Sequence, residues 1–290
     1  MEENKDLDNA LSSFYQKRDV KKDVVATLPP PAKNEHYVDQ MNKIDPDLTV
    51  GFEIVTLPSK GLFYSTRTSE VPVEYMTSKD EDIMTTPSLL ENNTALDVLL
   101  KTKVKSKELR VDDMLAGDKN AIAIFLRASA YGYEYDVDVR DPRTGKFFKD
   151  KIDLSKLKHK EITEQPDDML EFTVEIPMKK KIVKFKLLPE REVDKVIKNA
   201  RAMKEAYNLP YDPIGTFLLK AQITQIGHER SRDYINKFVD AISPKDANVI
   251  KRKIVDVTPN VDLKYTFTAS DGYQFTTPID IGIDFFFPAT

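Results

Sequence analysis

Two stretches of this chain run into the same kind of glycine turn, and that echo constrains the fold more than any other feature. After Gly145 the sequence reads Lys146-Phe147-Phe148-Lys149-Asp150-Lys151-Ile152-Asp153-Leu154. After Gly272 it reads Tyr273-Gln274-Phe275-Thr276-Thr277-Pro278-Ile279-Asp280-Ile281. Aligned on the glycines, both carry Phe at the third position and Ile-Asp-Leu or Ile-Asp-Ile from the seventh. An alternating run precedes each turn: Tyr133, Tyr135, Val137 and Val139 in one, Leu263, Tyr265, Phe267 and Ala269 in the other. Alternation gives a strand one buried face. Each stretch is therefore expected to be an antiparallel hairpin with a knuckle-sized turn, and the two are expected to share one local fold. Gly145 and Gly272 can take positive φ, and the Asp141 and Asp271 carboxylates can accept from nearby backbone N–H groups.

Other strand-like runs lie at Phe52 to Leu57, Leu62-Phe63-Tyr64 and Val71 to Tyr75. A further hairpin is expected from Phe172 to Ile176 and Ile182 to Leu187, and strand texture closes the chain from Ile279 to Phe287. Helices are read from stripes at spacings of three and four. Thr77 caps one that Pro87 closes, Thr94 to Lys103 forms another, and Asp118 caps a stronger one ending before Gly132. Val193, Val196, Ile197, Ala200, Met203 and Tyr207 mark a long helix. Asp212-Pro213 opens one that stops by Gly227, and Ser231 and Ser243-Pro244 open two more. The fold class is α+β: β-hairpins, including two metal-free knuckles, around a helical middle. The expected division is an arm at 1–50, an α+β domain with the first knuckle at 51–160, and a hairpin, helical bundle and second knuckle at 161–290.

The arm is charged and broken by Pro29, Pro30 and Pro31. Leu7, Leu11 and Phe14 fall on one side of a short helix, which either frays against its own domain or docks in a partner's groove. At the other end, Phe285, Phe286 and Phe287 are consecutive, so a strand cannot point all three to one side. They either finish the core or meet a partner.

The chain has no cysteine, which removes disulfides, thiolate nucleophiles and cysteine zinc sites. His36, His159 and His228 lie in different segments without metal-ligand spacing, so no metal is expected. Thr144-Gly145-Lys146 resembles the tail of a phosphate loop, but Arg140 stands where the earlier glycine is needed. No catalytic motif is present, and neither an enzyme nor a cofactor is expected. The net charge of -4 argues against a protein that lives on nucleic acid. Lys179, Lys180 and Lys181 read as a solvated turn. No apolar run is long enough to span a bilayer, and the acidic Met1 to Asp8 stretch is unlike a signal peptide, so cytoplasmic synthesis is expected.

Leu57-Pro58-Ser59-Lys60-Gly61-Leu62-Phe63-Tyr64, then Met76 to Glu81, Gly117-Asp118-Lys119-Asn120, Arg127 and Tyr131-Gly132 occur in that order. With the closing Phe285-Phe286-Phe287-Pro288, this series resembles the T-even-type phage baseplate hub and hub-assembly family over about residues 50 to 290. The resemblance implies a structural or assembly component of a contractile tail. It would act through contacts with other tail and baseplate proteins, be built in the host cytoplasm and reside in the virion. In that family the knuckles often carry C-x-x-C pairs. Here Asp141 and Arg143 occupy one and Ala269 to Asp271 the other, so no zinc can be carried over. An assembly chaperone absent from the virion, and a ribbon-type nucleic-acid binder, are the alternative readings.

Overall fold

The computed structural model describes residues 50–286 apart from 93, 270 and 280. The expected arm, with Leu7, Leu11 and Phe14, lies outside the described residues. The fold is α+β, with small antiparallel sheets set among helices.

The N-terminal part opens with a two-stranded sheet, β1 (Phe52–Thr56) and β2 (Glu70–Glu74), paired from Phe52 opposite Glu74 to Thr56 opposite Glu70. Helices α1 (Ser78–Thr85), α2 (Pro87–Glu91), α3 (Ala95–Lys103) and α4 (Ala116–Tyr131) follow. The first knuckle hairpin is β3 (Glu134–Arg140) with β4 (Phe147–Asp153). Next come β5 (Phe172–Ile176) and β6 (Lys181–Phe185), and β7 (Ile223–Ile226) adds to β6 to give the order β5-β6-β7. Helices α5 (Glu190–Ala206) and α6 (Ile214–Gln222) lie between β6 and β7, and α7 (Arg232–Asp240) and α8 (Pro244–Val257) come after. The second knuckle hairpin is β8 (Lys264–Thr268) with β9 (Gln274–Pro278), and a 3-10 turn spans Ile283–Phe286.

One large apolar core draws on elements from Leu57 to Phe286 and takes side chains from both sides of residue 160. A smaller one gathers Ile176, Val183, Leu219, Ile223, Ile226, Ile235, Val239 and Ile250. The three-stranded sheet joins them along one face. Phe172 and Phe185 stack at 5.6 Å in the large core, while Ile176 and Val183 face the small one. Among the described residues no helix is long and apolar enough to cross a membrane.

Four local expectations are corrected. Leu62-Phe63-Tyr64 is not a strand but a run of turns. Lys60, Gly61 and Arg67 all take positive φ, and the N–H groups of Lys60, Leu62, Tyr64 and Arg67 each donate to a carbonyl three residues back. Pro87 closes α1 as expected, Thr86 before it being extended, and it also opens α2, where its missing N–H is unneeded. Asp118 is not a cap, because α4 starts at Ala116 and Asp118 is wholly buried in its first turn. The helix after Pro213 ends at Gln222. Ile223–Ile226 then pairs with β6, tertiary pairing having overridden a local stripe that ran on towards Gly227. The closing Ile279-to-Phe287 stretch is not a strand over its described part: Ile283–Phe286 is 3-10, a coiling that sends Phe285 and Phe286 in different directions with their rings at 90°.

Candidate functional site

The Leu57–Tyr64 loop and the start of α4 lie more than fifty residues apart in sequence and are bolted together in space. Asp118 is the bolt. One carboxylate oxygen accepts from the Ser59 N–H at 2.9 Å, and the other accepts from the Tyr64 hydroxyl. That hydroxyl in turn accepts from the Leu115 N–H at 2.9 Å. Ser59 and Asp118 are wholly buried and Tyr64 nearly so. Burial, reinforced by the Asp118 charge, pushes the Tyr64 hydroxyl far above its ordinary pKa, so it keeps its proton and donates. Burial also raises the Asp118 carboxyl, against the hydrogen bonds from Tyr64 and Ser59.

Two glycines permit the close approach. Gly61 has φ +70, and a Cβ there would stand 2.4 Å from the Arg67 carbonyl oxygen. At Gly117 a Cβ would stand 2.1 Å from the Pro259 carbonyl oxygen, so the start of α4 presses directly on the chain that leads into β8. Asn120 adds a side-chain hydrogen bond to Asn260 at 3.2 Å.

The rest of the motif series does the same kind of work. Lys119 is buried between Asp97 at 2.8 Å and Glu190 at 2.7 Å, tying α4 to α3 and α5. Burial opposes its charge, but the Glu190 and Asp97 carboxylates outweigh that and hold its pKa above the usual lysine value. Asp80 accepts from the Thr77 N–H at 2.6 Å and pairs with buried Lys103 at 2.5 Å. Arg127 donates to the Phe285 carbonyl at 3.0 Å and sits 5.0 Å from the Tyr131 ring centroid and 5.7 Å from that of Tyr135. It thereby anchors the C-terminal turn against α4.

The knuckles meet each other. Phe148 and Phe275, the paired third positions, stand edge to face at 6.2 Å. Phe148 and Phe275 each lie three residues after their glycine, Phe148 opposite Val139 and Phe275 opposite Phe267. Asp141 accepts from the Arg143 N–H at 2.8 Å, and Asp271 accepts from the Tyr273 N–H at 3.1 Å. Gly145 and Gly272 have φ +70 and +83. The turns differ by one residue, since the Gly145 N–H donates to Asp141 and the Gly272 N–H to Ala269. Across the contact, the Arg143 guanidinium pairs with Asp271 at 2.7 Å and lies 3.7 Å above the Tyr273 ring. Among the described residues, no three or more histidine, aspartate or glutamate side chains group as a metal ion would need.

Of the aromatic run, Phe285 and Phe286 are each 1% exposed and packed in the large core, Phe285 against Tyr135 at 4.9 Å. Those two side chains are core and not a surface for a partner. Phe287 lies outside the described residues. Sequence reasoning missed the burial of Asp118. The signal was there: Asp118, Ile122 and Leu126 repeat at i, i+4 and i+8, so the carboxylate lies on the apolar stripe.

The residues that hold this fold together are thus the series met in order along the sequence. A family model described as T4 bacteriophage base plate protein matches residues 50–287, well over half of the chain. No curated protein matched, and no solved structure matched. The chain belongs to the T4 bacteriophage base plate protein family.

Proposed function

We propose that this baseplate protein is a structural or assembly component of the hub, that it acts through protein–protein contacts, and that it catalyses no reaction. The observation that carries the reading is how its charged motif residues are spent. Asp118, Lys119, Asp80 and Arg127 are buried and each is bonded to other segments of the chain, so they brace the scaffold and do not face a substrate. Large apolar side chains meanwhile stand on the outside, with Phe147 and Tyr207 each 70% exposed and Phe52 62% exposed. A braced body that also shows large apolar side chains at its surface suits a part that is held between others. The knuckles take the place of cysteine-bearing ones in this reading. The Arg143–Asp271 pair and the Phe148–Phe275 contact supply by charge and packing the cross-link that a metal would supply.

Affinity isolation of the tagged chain from infected cells, with identification of what accompanies it, tests the reading. Other baseplate proteins in fixed ratio support it, and recovery of the chain alone refutes it. Mass spectrometry of purified virions then separates the two versions, because an assembly chaperone is missing from the finished particle. Salt-dependent retention of nucleic acid on a filter would favour the ribbon-type alternative instead.

A further inference from the structure

Among the described residues, the two-stranded sheet of β1 and β2 has one closed edge and one open one. On the β2 side, the Lys105 N–H donates to the Pro72 carbonyl at 2.9 Å and Val104 bridges Val73. Pro72 has no N–H to offer, so that side is shut to a further strand. On the β1 side no second strand is paired among the described residues. The Tyr75 N–H donates to Gly51 and the Leu57 N–H to Ser69, which sets the hydrogen-bonding parity of the ladder. Glu53 and Val55 therefore turn their backbone groups to β2, and Phe52, Ile54 and Thr56 turn theirs outward.

The same three residues share a side-chain face. Opposite it, Val71 and Val73 are wholly buried, whereas Phe52 is 62% and Ile54 51% exposed. Natural edge strands are usually guarded by lysine, proline or a bulge. β1 reads Phe-Glu-Ile-Val-Thr and carries none of these. The two strands contain Glu53, Glu70 and Glu74 and no basic residue; Lys105 pairs with Glu74 at 3.2 Å, which leaves an excess of negative charge.

We propose that the open edge of β1 receives an extended segment of another baseplate protein, which adds as a strand and alternates apolar and basic side chains. The apolar positions would lie against Phe52 and Ile54 and the basic ones on the other face, which carries Glu53, while backbone hydrogen bonds to residues 52, 54 and 56 supply much of the affinity. The proposal rests on the reading that the chain works through protein contacts, and it names the surface and the kind of partner.

The test uses the full chain and two short peptides, one alternating valine with lysine and one alternating valine with glutamate. Amide exchange is followed at Phe52, Ile54 and Thr56. The lysine peptide should protect these three amides, should bind less well as salt rises, and should be bound about tenfold more weakly by Ile54→Pro, which removes one outward donor. Ile54→Lys, which leaves the backbone untouched, should weaken the lysine peptide similarly, so the result does not depend on how the proline variant folds. Equal binding of both peptides, or of neither, overturns the proposal. So does protection already present in the dilute free chain, which would mean the chain covers its own edge. Protection that grows with chain concentration would assign the edge to a second copy and overturns it too. Isolation from infected cells separates the two layers of the argument. If wild-type and Ile54→Lys bring down the same baseplate proteins equally, the edge proposal falls and the contact reading stands. If wild-type brings down none, the contact reading itself falls.

Discussion

Replacing Asp118 with alanine removes the acceptor for two buried donors at once, the Ser59 N–H and the Tyr64 hydroxyl. A buried donor left without a partner costs about 1–3 kcal/mol, and the site is closed to water on the Ser59 side, where the residue is 0% exposed. The expected loss for Asp118→Ala is about 3–5 kcal/mol, which for a fold of this size lowers the melting temperature by roughly 6–20 °C. Tyr64→Phe breaks the same network from the other end, removing the donor to Asp118 and the acceptor for Leu115. It should cost about 1–3 kcal/mol. The two changes share a hydrogen bond, so their sum should exceed the double variant by about 1 kcal/mol or more. Urea unfolding of the four proteins measures this directly. If Asp118→Ala costs under about 1 kcal/mol, or if the two losses simply add, the loop and helix are not held by this network and the structural account of the motif is wrong.

Three further outcomes follow from the same packing. Lys103→Ala should cost about 3–5 kcal/mol by denaturant unfolding, because it strands the Asp80 carboxylate in the interior, whereas joint replacement of both by apolar residues should be close to neutral. In pH titrations of stability, burial opposes the Asp80 charge but the hydrogen bonds from Lys103 and Thr77 prevail, so its folded pKa lies below the ordinary carboxylate value. That contribution is complete above the ordinary value and is lost as the pH falls through the lowered one, and Asp80→Asn should flatten this acid limb. Gly117→Ala should destabilise sharply in a thermal melt, since its Cβ would meet backbone at 2.1 Å, while Gly282→Ala, with open space around it, should leave the melt unchanged.

Much of the architecture was legible because it obeys local rules. The knuckle hairpins follow from alternation and glycine, and α3, α5, α7 and α8 from apolar stripes with their caps. What the sequence hid is tertiary in origin. Nothing local distinguishes Ile223–Ile226 from the end of a helix until β6 is there to pair with it. Leu62-Phe63-Tyr64 has strand composition, yet Gly61 and Arg67 bend it back so that Tyr64 can reach Asp118. The echo of the two hairpins suggested a shared fold, but not that Phe148 and Phe275 touch or that Arg143 crosses to Asp271, since both contacts span about 127 residues of chain. The candidate interaction residues divide in a similar way. Phe285 and Phe286 proved to be core, and the apolar surface at Phe52 and Ile54 was invisible until the register of β1 showed which face was already filled.

The central claim is that the chain does its work by being held among other baseplate proteins, and isolation from infected cells addresses it most directly. The chain, tagged and expressed at its natural level during infection, should be recovered with other baseplate proteins in a constant ratio that survives washing. Recovery of the chain by itself, with the same proteins assembled normally in its absence, would contradict the account.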